Sequence, residues 1–234
     1  MSIYDNELFF ENYMTRRHRA MSPNNLIELP IIMELIDPIE DGVVLDIGCG
    51  DGQFKYDLEK KGYLHYTGID PSENMIVRAK ENLTEEDKLI QIDMESFQYP
   101  YAKYHLITSR LVMHYSSKPQ ILFEKIYQAL KPQGIFLFSV QHPVYTANIE
   151  NHQSKEVIEV KRYFENGSRY EDWMGQEVKK YHRTIEDYFQ YAIDAGFKVE
   201  MIKEGKPKPI LFDDDLDLKR RQQIPLFLIL KLRK

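Results

Sequence analysis

The sequence is informative first for what it lacks. It holds one cysteine, Cys49, among 234 residues, and a single cysteine cannot form an intramolecular disulfide, which suits a reducing compartment. No apolar run is long enough to span a bilayer, and the N-terminus has neither the basic nor the apolar region of a secretion signal. We therefore expect a cytoplasmic protein without a membrane partner.

An excess of positive charge is also missing. Lys and Arg number 31 against 37 Asp and Glu, for a net charge of −6, whereas a nucleic-acid-binding face needs basic residues. The histidines are scattered along the sequence and there is only one cysteine, so no group of residues has the spacing of metal ligands. We expect neither a nucleic acid partner nor a metal site, and the sequence leaves the oligomeric state open.

One stretch stands out against this ordinary composition. Residues 43–52 read Val-Val-Leu-Asp-Ile-Gly-Cys-Gly-Asp-Gly. An apolar β-branched run ends in a carboxylate and continues into alternating glycines, as in a buried parallel strand whose backbone then approaches a ligand. Asp46 and Asp51 flank the turn, so a pyrophosphate would be repelled there and a cofactor with cationic groups would be favoured.

Strand-like and helix-like patterns alternate from residue 43 to about 140, which is typical of βαβ units around a parallel sheet. Helices are predicted after the glycine turn, after Ser72 as a cap, and over 121–130. The strands are predicted at 43–47, 65–69, 88–92, 104–108 and 135–140.

The pattern changes outside this core. Residues 213–215 are interpreted as a solvated loop, and strands at 197–203 and 224–232 are expected to pair antiparallel after a helix at 184–195. We predict a single domain in four parts: a helical cover over 1–36, a cofactor-binding core over 37–140, a polar and aromatic substrate lid over 141–182, and a closing helix and strands over 183–234.

The carboxyl ends of the predicted strands carry acidic residues, and ligands of open α/β sheets bind at those ends. Asp70 follows the second strand, where a carboxylate accepts hydrogen bonds from both ribose hydroxyls. Asp93 follows the third, where it can accept from an adenine amino group with Met94 against the ring. A dinucleotide fingerprint needs glycine where Gln53 stands. The charges therefore favour S-adenosylmethionine, which carries a sulfonium and an ammonium but no phosphate.

Residues 43–140 resemble the core of a class I S-adenosylmethionine-dependent methyltransferase. The resemblance implies an α/β, Rossmann-like fold with a seven-stranded, mostly parallel sheet, an antiparallel last strand and helices on both faces, here with a lid insertion. One position departs from the family, whose fourth strand usually begins with an aspartate, whereas here His105 follows Tyr104. The matching stretches are Val-Leu-Asp-Ile-Gly-Cys-Gly-Asp-Gly (44–52), Gly-Ile-Asp-Pro-Ser (68–72), Ile-Asp-Met-Glu (92–95), Leu-Val-Met-His-Tyr (111–115) and Leu-Lys-Pro-Gln-Gly (130–134).

The resemblance also implies contacts to the cofactor. The glycine turn would line the methionine part, and the carboxylates after the second and third strands would meet the ribose and the adenine. An arginine of the N-terminal cover can pair with the cofactor carboxylate, or the cover side chains can be solvated helix residues. The predicted cofactor-binding residues are Asp46, Gly48, Gly50, Asp70, Pro71, Met75, Asp93, Met94, Ser109, Tyr13 and Arg17.

Three stretches outside the core, Glu-Asn-Tyr-Met-Thr-Arg-Arg (11–17), Ser-Val-Gln-His-Pro-Val-Tyr (139–145) and Tyr-His-Arg-Thr (181–184), resemble a subgroup of small-molecule methyltransferases. The predicted function is methyl transfer to an oxygen or nitrogen of a small molecule, releasing S-adenosylhomocysteine. A nucleic-acid methyltransferase is an alternative, although Ser109-Arg110-Leu111 replaces the Asn/Asp-Pro-Pro-aromatic motif often found there. A non-catalytic S-adenosylmethionine-binding protein and, more distantly, a dinucleotide-dependent oxidoreductase are further alternatives.

The residues expected to act on the acceptor lie after the fifth strand. His142 is predicted as a general base, with a structural hydrogen bond as the alternative. Aromatic side chains in the lid offer a stacking surface for a flat substrate, and His182 and Arg183 can either reach the substrate or cap the helix that follows. The predicted substrate contacts are Tyr145, Trp173, His182 and Arg183.

Overall fold

Nine strands form a large sheet and a separate hairpin in the computed structural model, which describes residues 2–149 and 157–234. The strands are β1 Gly42–Ile47, β2 Tyr63–Asp70, β3 Lys88–Gln91, β4 Tyr104–Arg110, β5 Leu130–Gln141, β6 Gly167–Trp173, β7 Gln176–His182, β8 Lys198–Lys203 and β9 Phe227–Arg233. The sheet order is β3-β2-β1-β4-β5-β9-β8. Its first five strands are parallel, and β9 pairs antiparallel with both β5 and β8.

The centre of the sheet is buried on both faces, which explains the continuous apolar runs of its strands. Val44 and Leu45 are both fully buried but belong to different core clusters. Leu45 packs with the cluster that contains Phe123, and Val44 packs with the one that contains Ile32. Helices therefore cover both faces, and the predicted fold class is confirmed.

The helices begin where the local caps place them. Ser72 accepts a hydrogen bond from the Met75 amide at 3.3 Å, and Thr184 forms a reciprocal capping box with Asp187. A π-helical stretch, Asn24–Glu28, leads into the second helix. The helices are α1 Glu7–Arg17, α2 Leu29–Leu35, α3 Phe54–Glu59, α4 Glu73–Asn82, α5 Pro119–Ala129, α6 Pro143–Thr146, α7 Ile185–Asp194 and α8 Asp215–Gln223.

The predicted lid contains a regular element that its sequence pattern did not reveal. β6 and β7 form an antiparallel hairpin in which Trp173 pairs with Gln176. Met174 and Gly175 between them have φ values of +54° and +77°, the left-handed conformation of both central residues of a type I′ turn. The strand period is hidden because several buried positions are polar, namely Arg169, Lys180 and His182. Residues 150–156 of the predicted lid lie outside the described residues.

The acidic run at 213–215 is also more ordered than expected. The sequence predicts a solvated loop there, but Asp214 caps α8 by accepting from the Leu216 amide at 2.8 Å, and Asp215 begins that helix. A carboxylate at a helix N-terminus satisfies an otherwise unpaired amide. Among the described residues, no helix is both long and apolar enough to cross a membrane.

Candidate active site

The glycine turn after β1 brings backbone close to the edge of the sheet at Gly48 and Gly50. Gly48 and Gly50 have φ values of +72° and +55°, where an L-residue is strained. A Cβ at Gly48 would lie 2.3 Å from Val112 Cγ2, whereas a Cβ at Gly50 would have only Met75 Sδ, at 3.9 Å, as a neighbour. Gly48 is therefore needed for packing, and Gly50 borders open space that a ligand can use.

Asp46 lies at this edge, near the end of β1. Its Oδ1 accepts from Thr108 Oγ1 and its Oδ2 from the Tyr66 hydroxyl, both at 2.9 Å. Burial raises the pKa of the Asp46 carboxyl, and the two hydrogen bonds oppose that shift. These bonds fix the orientation of the carboxylate where β1 and β4 end.

Asp70 lies at the end of β2 and is fixed by backbone donors. The Gly50 amide donates to Oδ2 at 3.1 Å, and the Ser72 amide donates to Oδ1 at 2.9 Å. Burial raises the pKa of Asp70 from 3.8 to about 6. Because the folded-state pKa is above the ordinary value, this group stabilises the fold most below about pH 4, and the contribution is lost as the pH rises through about 6.

The N-terminal cover lies directly over this edge. Asp5 Oδ1 accepts from Ser72 Oγ at 2.8 Å and from the Glu73 amide at 2.9 Å, at the start of α4. Asn74 Nδ2 donates to the Tyr4 carbonyl at 3.0 Å. The cover is thus docked by specific polar contacts to the residues that follow Asp70, and Asp5 is a contact that sequence reasoning missed.

The cover and the glycine turn enclose one cavity of about 60 Å³. Six of the predicted cofactor residues meet there: Tyr13, Arg17, Asp46, Gly48, Gly50 and Met75. Met14, Cys49, Asp51, Phe54 and Arg110 complete its lining. Small-molecule and cofactor sites usually measure about 300–1,000 Å³, so this cavity is smaller than the space that a nucleoside cofactor needs.

A buried ion pair that the sequence analysis did not anticipate supports this cavity. Arg110 Nε donates to the Glu28 oxygens at 3.1 and 3.2 Å, and Ser139 Oγ donates to Glu28 Oε1 at 2.7 Å. The Arg110 guanidinium also lies 4.5 Å above the Phe54 ring. Glu28 belongs to the π-helical stretch before α2, so the cover is linked to the end of β4 through this pair. Its members are 82 residues apart, and no local pattern signals such a contact.

The remaining predicted cofactor residues lie at neighbouring strand ends. Asp93 is exposed and accepts from the Glu95 amide at 2.7 Å, while Met94 is buried in the core beneath it. Pro71 is exposed beside Asp70. Ser109 is buried at the end of β4, and its hydroxyl has no hydrogen-bond partner in the described part of the chain.

The hairpin also contacts the cover. Trp173 makes edge-to-face contacts with Tyr4, Phe9 and Tyr13, with ring centroids 6.3, 5.6 and 5.6 Å away. Tyr13 also lines the cofactor cavity. The predicted substrate residue Trp173 therefore lies one aromatic contact away from the predicted cofactor site, and it fastens α1 to the hairpin.

Beneath Trp173 lies a buried polar group that the sequence analysis did not single out as a site. Lys180 is 3% exposed, donates to Glu171, and lies 5.1 Å from the Trp173 ring and 5.9 Å from the Tyr115 ring. His114 is buried nearby. Burial, together with the positive charges of Lys180 and Arg183, lowers the pKa of His114 well below its usual value.

His142 follows β5 as predicted, but both of its ring nitrogens are engaged. Nδ1 accepts from the Val144 amide at 3.2 Å, as the cap of α6. Nε2 lies 3.1 Å from Glu204 Oε1, to which it donates in that tautomer. The ring is 1% exposed. This arrangement matches the structural alternative and leaves no free nitrogen to accept a proton from a substrate.

The other predicted substrate residues are divided between locations. His182 bonds to Thr146 Oγ1 at 2.7 Å and to the Tyr163 carbonyl at 2.9 Å, so both of its nitrogens hold the hairpin. Arg183 donates to the Ser116 carbonyl at 2.6 Å and lines, with His182, a second cavity of about 460 Å³ beside the start of α5. Tyr145 lies on α6, where Glu171, Arg16 and Arg221 act electrostatically on its hydroxyl.

Known proteins share this architecture. Residues 45–138 match a family model described as a methyltransferase domain. A solved structure from Listeria monocytogenes, assigned as an S-adenosylmethionine-dependent methyltransferase, is 30% identical, with a TM-score of 0.80 over 88% of this chain and 96% of that chain. An S-adenosylmethionine-dependent methyltransferase from Mesorhizobium loti is 27% identical, with a TM-score of 0.83 over 92% and 99% of the two chains. An uncharacterized protein of Haemophilus influenzae is 29% identical and is matched over 97% of its length and 100% of this chain.

The sheet order, the glycine turn and the acidic strand ends define a Rossmann-like domain. Together with these similarities, they show that the chain belongs to the class I S-adenosylmethionine-dependent methyltransferases. It is therefore an enzyme with S-adenosylmethionine as its cofactor, and the family and cofactor predicted from the sequence are confirmed.

Proposed function

We propose that this enzyme transfers the methyl group of S-adenosylmethionine to an oxygen or nitrogen of a small molecule. The observation that carries the proposal is the contact between the cover and the hairpin. The cover and the β6–β7 hairpin meet over the strand ends through Trp173, Tyr4 and Tyr13. An enclosed aromatic site is suited to a small acceptor. A folded nucleic acid would need an open, basic face.

The residues present fit the cofactor chemically. Gly50 leaves open space for the cofactor beside the turn. Asp70 would accept hydrogen bonds from the ribose hydroxyls, and Asp46 would attract the cationic methionine end of the cofactor. Arg17, which lines the same cavity, would pair with its carboxylate. Asp93 and Met94 would meet the adenine, with Pro71, Met75 and Ser109 around it.

When bound, S-adenosylmethionine supplies a methyl group attached to a sulfonium, which is already a good leaving group. The protein then contributes mainly by holding the acceptor in line and excluding water. Proton removal needs a base only if the acceptor atom is protonated. The role predicted for His142 stays a prediction, and His114 is a second candidate because its Nδ1 is buried without a hydrogen-bond partner in the described part of the chain.

Two features favour this function over the alternatives. The net charge of −6 gives no general attraction for phosphate backbones, which weighs against a nucleic-acid methyltransferase. A protein that only binds the cofactor does not need an aromatic enclosure next to the cofactor cavity, which weighs against the non-catalytic alternative. The cytoplasm remains the expected compartment, since Cys49 is a free, buried thiol.

The test is methyl transfer itself. The purified enzyme is incubated with S-adenosylmethionine and a panel of small alcohols, acids and amines, and in parallel with tRNA and duplex DNA, and S-adenosylhomocysteine release is measured. We expect release with members of the small-molecule panel and none above background with nucleic acid. Release with RNA or DNA alone would overturn the acceptor class, and S-adenosylhomocysteine binding without any turnover would favour the non-catalytic alternative.

A further inference from the structure

The inner face of the β6–β7 hairpin carries ionic groups where apolar side chains would suffice. Lys180 is 3% exposed and is paired with Glu171 across the hairpin. Replacing a buried ion pair by well-packed apolar residues is often neutral or stabilising, because desolvation offsets the attraction between the charges. The pair is therefore a weak contributor to folding, and its position beside the aromatic cover points to a role in binding.

Further positively charged side chains lie near this pair. Lys180 and Arg183 both act on His114 from nearby, and Glu171 is the carboxylate that bonds to Lys180. Arg183 donates to the Ser116 carbonyl and makes no ion pair within the described residues. Arg169 lies opposite Lys180 in the hairpin register and is also buried, so Lys180 has cationic side chains near it, and a bound sulfonium would add a further positive charge. An anion entering this region would be attracted.

Aromatic side chains border Lys180 and connect it, through ring contacts, to the lining of the cofactor cavity. The Lys180 ammonium lies between the Trp173 and Tyr115 rings, at 5.1 and 5.9 Å from their centroids. Trp173 contacts Tyr13 at 5.6 Å, and Tyr13 lines the cofactor cavity beside Asp46. A small acceptor whose acid group reached Lys180 would therefore extend toward the methionine end of the cofactor.

We propose that the methyl acceptor of this enzyme carries an acid group, a carboxylate or a phosphate, and that Lys180 binds that group. The proposal rests on the proposed function and names its substrate class. The acid displaces Glu171 from Lys180 in part, because both compete for one ammonium. Lys180 thereby selects acidic acceptors and disfavours protonated amines that lack an acid group.

The chain contains a single tryptophan, Trp173, and its ring is in contact with the Lys180 ammonium. Its fluorescence therefore reports directly on an anion at Lys180. The enzyme is saturated with S-adenosylhomocysteine and titrated at constant ionic strength with phenylacetate, with phenyl phosphate and, as the neutral control, with benzyl alcohol. We expect a saturable fluorescence change with at least one of the two acids, and the acid that binds more tightly identifies carboxylate or phosphate as the group. No such change is expected with benzyl alcohol.

Three variants separate binding from structure. Lys180→Met should weaken acid binding at least tenfold, whereas Lys179→Met, on the same strand but exposed, should leave it unchanged. Glu171→Gln removes the competing carboxylate and should tighten acid binding several-fold. If the pair were purely structural, Lys180→Met and Glu171→Gln would change the affinity for the acid in the same direction. Opposite changes in that affinity therefore indicate a ligand site. Lys180→Arg keeps the charge and should retain the response if Lys180→Met folds poorly.

Three results would overturn the proposal: no saturable change with either acid, an equal response to benzyl alcohol, or acid binding that is unaffected in Lys180→Met. Calorimetry of S-adenosylhomocysteine binding is run alongside on each variant. Normal cofactor binding with no acid response rejects this inference alone, while loss of cofactor binding in the wild-type enzyme would reject the proposed function.

Discussion

The two halves of the candidate active site, the cofactor edge and the contact between the cover and the β6–β7 hairpin, are built in different ways. At the cofactor edge, the ends of β1 and β2 present backbone amides and two carboxylates within a single stretch of 25 residues, 46–70. In the other half, the cover meets the β6–β7 hairpin. Its helix α1 and the hairpin are about 160 residues apart in sequence and are joined by edge-to-face aromatic contacts around Trp173.

This difference determines what each half tolerates. A backbone site depends on φ values and close approaches, so a single added methyl group disrupts it. A site made of packed rings depends on many weak contacts of about 0.5–1.5 kcal/mol each, so single changes loosen the cover without unfolding the sheet.

The largest effect is expected at the glycine turn. Gly48→Ala places a methyl group 2.3 Å from Val112 Cγ2 at a φ of +72°, and we expect a loss of about 3 kcal/mol in the free energy of unfolding from overpacking and backbone strain together. Gly50→Ala has open space and should cost about 1 kcal/mol while still abolishing most S-adenosylhomocysteine binding. Urea unfolding and calorimetry measure the two quantities. Equal stability losses in both variants would show that the turn has no packing role specific to Gly48.

A smaller effect is expected in the cover. Trp173→Leu removes three aromatic contacts and should weaken docking of α1 by about 2 kcal/mol, with little change at the sheet. Amide hydrogen exchange of α1 should become faster while that of β1 and β4 stays the same, and S-adenosylhomocysteine should associate more rapidly. Phe189→Leu, an exposed aromatic position on α7, is the control. Unchanged protection of α1 in Trp173→Leu would contradict the fastening role of the indole ring.

The smallest effect distinguishes the two roles of His142. Its Nδ1 caps α6, and loss of such a cap costs about 1 kcal/mol. We expect His142→Ala to lower the melting temperature by a few degrees while kcat of the folded variant changes less than twofold. A fall in kcat of a hundredfold or more, with S-adenosylhomocysteine affinity retained, would establish His142 as the base that its position after β5 suggested.

The contrast between the two halves also explains what could be predicted from sequence. The glycine turn, Asp70 and the Ser72 cap lie in short motifs whose chemistry is local, so the fold and the cofactor followed from them. The hairpin was not predicted because its inward positions include Lys180 and His182, which break the apolar alternation that is typical of a strand.

Long-range side-chain partnerships were also beyond the sequence. Glu28 and Arg110 are 82 residues apart, and neither stands in a recognisable motif. The engagement of His142 Nε2 depends on Glu204, 62 residues away. Such contacts follow from the packing of distant elements, and a single sequence carries no period or spacing that reports them.

The most direct test of the account is calorimetric titration of S-adenosylhomocysteine into the wild-type enzyme and Asp70→Asn, each at pH 7.5 and pH 5. Burial raises the pKa of Asp70 to about 6, and in the proposed site its ionised form is the one that would accept from the ribose hydroxyls. We therefore expect wild-type affinity to fall about tenfold between these pH values. Asp70→Asn should bind at least about tenfold more weakly at pH 7.5 and show a much smaller pH dependence. Equal affinities for the two proteins, with no change between pH 7.5 and pH 5, would contradict the assignment of the ribose to Asp70.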